Sequence, residues 1–143
     1  MKRTIRLPDT NGIIERRHSE KAWDVSFTVG TTCLRDVLTG LFLLLFDKIQ
    51  SLHLAGTKEI VLAITRETSH VHRERNLLRI ALARTDVEAL LSYLLDYERD
   101  GRTRVNHIDL ELRSADNNDV TLIVRAETSA LPISADEAKR LLG

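Results

Sequence analysis

The chain has 143 residues, with 21 basic and 21 acidic side chains and no formal net charge. That length suits one domain around one core. A hydrophobic share of 43% at zero net charge excludes an intrinsically disordered chain, and the balance excludes a global electrostatic pull towards nucleic acid or an anionic membrane.

The charge is unevenly spread. Residues 1–21 and 64–84 each hold three excess positive charges, and residues 85–143 hold five excess negative ones. One face is therefore expected to be basic and another acidic, or both are simply solvated. The single cysteine, Cys33, has no internal disulfide partner, which fits a reducing compartment. No apolar segment follows the basic residues 1–12, as a secretory leader would require. The longest apolar run, residues 41–46, is far shorter than the ~20 residues of a membrane helix. A cytoplasmic protein without membrane contact is the expectation.

Residues 1–21 read as an N-terminal arm or short hairpin, because residues 4–7 and 13–16 flank the turn formers Pro8-Asp9-Thr10-Asn11-Gly12. Residues 22–143 read as a single α+β domain. Trp23, Val25, Phe27 and Val29 alternate with Asp24, Ser26 and Thr28, which predicts a half-buried strand. Thr31 or Thr32 is placed to cap a helix. Leu34, Val37, Leu38, Leu41, Leu45 and Ile49 then follow one helical face, which predicts a helix over 33–54 that is apolar nearly all round. Gly40 inside it costs about 1 kcal/mol relative to Ala, so close packing is expected there.

Ile60-Val61-Leu62-Ala63-Ile64 predicts a central strand. Residues 66–76 are polar and read as a loop or an edge strand, and residues 77–83 return to strand character. Thr85-Asp86-Val87-Glu88 is a capping box opening a second helix that Asp100-Gly101 ends. Residues 104–113 and 120–127 alternate around the turn formers Asp116-Asn117-Asn118-Asp119 and predict an antiparallel hairpin. Ser134-Ala135-Asp136-Glu137 opens a short final helix.

The predicted order is β-α-β-β-α-β-β-α. It implies an α+β two-layer sandwich with a mostly antiparallel or mixed sheet, its central part in the order of a ferredoxin-like core. Taken from the first long helix, the element order resembles that of the effector chaperones of type III secretion. That resemblance implies a fold that binds another protein.

Four groups of residues invite a functional reading. Arg66, His70, His72, Arg73, Arg75 and Arg79 form the densest cationic cluster, suited to an anionic ligand or an acidic partner. Glu67 and Glu74 interrupt it and no aromatic residue interleaves for base stacking, so nucleic acid is not the expected partner. His70 and His72 would share a strand face, yet no third ligand accompanies them in sequence, so no metal is expected. His107, Asp109, Glu111 and Arg113 share one face of a strand, where they serve acid–base work in a cleft but only charge pairing on an open sheet. Cys33 begins a helix, where a thiol pKa falls, and buried cysteines are commonly inert.

No GxSxG, GxxxxGK[ST] or GxGxxG run occurs. No catalytic residue and no cofactor is therefore assigned. The favoured expectation is a non-enzymatic protein-binding or adaptor protein, chaperone-like or immunity-like. A homodimer through the apolar helix 33–54 accompanies it. The alternatives are a small-ligand-sensing regulatory domain and a small enzyme using the His/carboxylate sheet face.

Overall fold

Trp23, Val25, Phe27 and Val29 are buried in the computed structural model, whereas Asp24, Ser26 and Thr28 between them are not. The same alternation recurs along most strands and gives the sheet an inner and an outer face. The structure describes residues 3–7, 13–30, 32–55, 58–101 and 105–126, with backbone alone for residues 3–7 and 14. The elements are β1 (Arg3–Leu7), β2 (Ile14–Ser19), β3 (Ala22–Val29), α1 (Leu34–Leu45), β4 (Ile49–Leu54), β5 (Glu59–Thr65), β6 (His70–Glu74), β7 (Leu77–Ala83), α2 (Arg84–Asp100), β8 (Ile108–Ser114) and β9 (Asp119–Ala126).

The nine strands form one mixed sheet in the order β1-β4-β5-β7-β6-β8-β9-β3-β2, in which parallel and antiparallel neighbours alternate. The chain is α+β as expected, but its order differs from the predicted one. Four strands separate the two helices, not two, so neither the ferredoxin-like core nor the chaperone-like element order applies. β1 and β2 do not pair with each other as a hairpin. β1 lies beside β4 at one edge of the sheet and β2 beside β3 at the other. The predicted final helix lies outside the described residues.

The helix predicted over 33–54 ends at Leu45, and residues 49–54 form β4. Asp47 takes a left-handed backbone (φ 57°), and the N–H groups of Asp47 and Lys48 return to the carbonyls of Leu44 and Leu43. The chain therefore turns out of the helix before Ile49. Ile49 and Leu52 continue the helical spacing, and a register shift between the Arg3↔Ile49 and Thr4↔Ser51 pairs lets both be buried in the strand, which is why periodicity carried the helix too far. Residues 70–74 form a strand as one of the two readings had it, but β6 is the fifth of nine strands and no edge.

β3, β5, β7 and β9 point one way, so their C-terminal ends share one end of the sheet. Each helix starts and finishes at that end. α1 connects β3, eighth in the sheet, with β4, second; α2 connects β7, fourth, with β8, sixth. The helices therefore cross several strands and run antiparallel to each other. Arg35 pairs with Glu98 at one end (3.0 Å), and Arg84 donates to the Leu45 carbonyl at the other (3.2 Å).

Val37, Leu38, Leu41 and Leu44 bury the inner face of α1. At about 1.5–3 kcal/mol for each such side chain, this outweighs the roughly 1 kcal/mol that Gly40 costs the helix. Gly40 is there for space, because a Cβ at this position would lie 2.6 Å from Leu52 Cδ1. Gly40→Val should cost about 1–3 kcal/mol by overpacking, and Leu52→Ala about 2–5 kcal/mol by leaving a cavity. In urea denaturation the double variant should lose less than the sum of the two. Strict additivity would show that the two positions do not touch.

Candidate functional site

The helices cover only the inner face of the sheet, so the outer face is built from the residues that alternate with the core. Across β8 these are Asp109, Glu111 and Arg113, all exposed, with His107 just before the strand. The sheet register places Glu111 beside Thr121, and Thr121 beside Asp24. Thr121 Oγ1 donates to the Glu111 carboxylate at 3.4 Å. His107 Nε2 lies 3.2 Å from Asp109 Oδ1, the two side chains 40% and 48% exposed. His18 on β2 contacts Asp24 from the same side. At its exposure the His107–Asp109 pair is solvated and contributes little stability. The Asp24 side chain is only 13% exposed, covered beside His18, whereas Asp109 and Glu111 stay open to water.

The cluster of residues 66–79 is divided by the period of β6. His70 and His72 share the outer face with Arg79, as the register His70↔Ala81 and His72↔Arg79 requires. There His72 and Arg79 both approach Glu74, at 3.7 and 3.3 Å. His70 Nδ1 lies 3.0 Å from the Thr68 carbonyl. Val71 is buried on the inner face, and Arg73 follows it inward. Arg66 stands at the helix end of the sheet, and Arg75 occupies the β6–β7 turn with φ 46°. The six residues therefore do not form one site. No group of three or more His, Cys, Asp or Glu is gathered for a metal among the described residues. Cys33 is the N-cap of α1, half-buried, with Sγ 3.5 Å from the Gly30 carbonyl.

Two arrangements escaped sequence reasoning. At the end of the sheet away from the helices, Glu15 faces inward because it pairs with Val25. Its Oε2 lies 2.7 Å from Arg73 Nη2 and 3.2 Å from Lys58 Nζ, and the Glu15 side chain is only 16% exposed. The Arg73 guanidinium carbon stands 4.7 Å above the Trp23 ring, a cation–π contact. The sole hint in the sequence was the inward phase of Glu15 on its strand.

The second arrangement opens α2. The Thr85 capping box is not used: the N-cap is Ala83 with no side-chain cap of its own. Instead Ser69, buried just before β6, accepts the Ala83 N–H at 2.7 Å and donates to Asp86. Beside this cap lies a cleft of about 810 Å³, bounded by the C-terminal ends of β5 and β7 and the end of α1. Thr65, Arg66, Arg84, Thr85 and Gln50 bring polar groups to it.

Ser69→Ala should destabilise the protein by about 1–3 kcal/mol, because it strands the Ala83 N–H and the Asp86 carboxylate together. Thr85→Ala should cost far less, since the Thr85 hydroxyl does not cap the helix. Thermal denaturation of the two variants checks this, and equal losses would restore the capping box.

No family model and no curated protein matches the chain.

Proposed function

We propose that this chain is a non-enzymatic protein-binding protein of the adaptor kind, and that it presents the outer face of its sheet to the partner. One observation carries the reading: α1 and α2 lie against the same face, and among the described residues no layer covers the opposite face of the nine-stranded sheet. That face is rich in exposed charge, including Asp109, Glu111, Arg113 and Arg79. The same face carries the shorter side chains Ala63 on β5, Ala81 on β7 and Ile123 on β9. Charge mixed with low apolar side chains suits a protein surface, where charge fixes register and rate and apolar contact supplies affinity. Its His107–Asp109 pair is too exposed for the desolvated chemistry that acid–base catalysis uses.

The apolar helix offered for a homodimer is shorter than expected, and its inner face is already covered. What it exposes is the stacked pair Phe42 and Phe46, 37% and 62% exposed. These two residues provide the comparison. Full-length protein should retain one partner on isolation from its own cells. The double charge reversal Asp109→Lys with Glu111→Lys should weaken capture at least tenfold, or about 1.4 kcal/mol, with an unchanged melting temperature. Phe46→Asp should leave capture intact. If Phe46→Asp alone abolishes it, the helical side is the interface. Isolation of a chain without a partner would remove the proposal.

A second reading rests on the cleft at the helix end, whose 810 Å³ lies within the size range of small-ligand sites. It lies at the C-terminal ends of the parallel strands β5 and β7, the position at which open α/β sheets take ligands. Arg66 and Arg84 line it against the one carboxylate of Asp47, so the ligand would be an anionic metabolite. Saturating ligand should raise the melting temperature by several degrees, an effect lost in Arg66→Ala. A metabolite panel that leaves the melting temperature unmoved would remove this reading.

A further inference from the structure

We propose that an opening in the sheet, between β6 and the β8–β9 turn, is a binding site for an oxyanion, a carboxylate or a phosphate group. The opening exists because β6 and β8 pair only at His70↔Arg113 and Val71↔Ser114. Beyond these two pairs β6 continues beside β7 alone, while β8 turns away through residues 114–118 into β9. Among the described residues the backbone of 72–74 has no ladder partner on the β8 side, like that of an edge strand. A cavity of about 160 Å³ fills the gap. At about 30 Å³ for each water in the liquid this is space for about five waters, enough for a phosphate or a carboxylate with part of its carrier.

The lining is chosen for negative charge. Arg17 and Arg73 reach it, together with Trp23 and Asn118, and His72, whose side chain lies on the outer face, borders it. Arg17 is the cross-strand partner of Trp23, so both sit on the inner face. Arg17 is exposed, and its guanidinium makes no hydrogen bond or ion pair among the described residues. Arg73 spends one amino group on Glu15, but a guanidinium has five N–H donors in a planar fork. Glu15 does not neutralise the pocket on its own account, because Lys58 pairs with it as well. Asp116 lines the rim and opposes an anion. Two guanidinium groups against one carboxylate leave the opening with a net charge of about +1, a combination suited to bidentate recognition of an oxyanion. The Trp23 ring beneath Arg73 fixes that guanidinium in place and lowers the entropy lost on binding.

The test uses the full chain and its single tryptophan, Trp23, as the reporter. Its emission is followed while sodium phosphate or, separately, sodium acetate is added, with sodium chloride at matched ionic strength as the control. A saturable change with phosphate or acetate beyond that of chloride is expected, and the more effective anion identifies the ligand group. Arg17→Gln, at an exposed position that leaves the fold intact, should weaken binding at least tenfold. Asp116→Asn should tighten it severalfold. No saturable change with either anion, or an unaltered titration in both variants, would overturn the proposal.

Discussion

Glu15 is met inside the sheet by Arg73 and Lys58, and the rest of the architecture depends on that meeting. Glu15 belongs to the ninth strand of the sheet, Arg73 to the fifth, and Lys58 stands at the start of the third. In a flat sheet, six strand spacings of about 4.8 Å would hold Glu15 and Lys58 roughly 29 Å apart. An ion pair at 3.2 Å between them requires the sheet to curl until its inner face closes on itself. The curl agrees with the chain path, since β1 and β2 lie at opposite edges yet follow each other in sequence. A carboxylate this little exposed is costly without partners. Two cations and the Trp23 ring beneath one of them make it a stabilising contact between distant strands.

Curling leaves one end of the sheet to be filled by charge and the other by helices. The parallel direction of β3, β5, β7 and β9 brings both helix starts to a single end, and α1 and α2 cross there as an antiparallel pair. Gly40 lets α1 approach Leu52, and Tyr93 ties α2 to the sheet by donating to the Asn106 carbonyl and accepting the Ala126 N–H. Every helical contact is thereby spent on the inner face. The outer face is left with alternating charge, and the same alternation that fills the core decides which side chains meet solvent. Core and proposed interface are two phases of one period.

That period was the legible part of the sequence. β3, β8 and β9 could be read from strict alternation, and the placement of Asp109, Glu111 and Arg113 on one face followed from it. β4 was misread because Ile49 and Leu52 continue the helical spacing. What ends α1 is a left-handed Asp47, a backbone event with no strong residue signature. The cap of α2 shows a related difficulty. Thr85 and Glu88 look like a local capping box, yet Ser69 arrives from another strand and takes the Ala83 N–H first. Strand order, the closing of Glu15 on Arg73, and the gap between β6 and β8 are long-range facts with no local trace. They decide where the candidate sites lie, which is why the cationic cluster at residues 66–79 dissolved into separate places while Arg17 and Trp23, unremarkable in sequence, came together.

The curl of the sheet is the claim on which the sites depend, and a distance measurement addresses it directly. Spin labels at Arg16→Cys and Glu59→Cys, in a Cys33→Ser background, leave the Glu15 contacts intact and place one probe on β2 and one at the start of β5. Pulsed electron paramagnetic resonance should give a distance distribution centred below about 20 Å if the sheet closes, against roughly 29 Å or more for a flat sheet. A short distance would establish the closure that brings Glu15, Arg73 and Trp23 together. A distance near the flat value would contradict it, and with it the inner charge cluster and the opening beside β6.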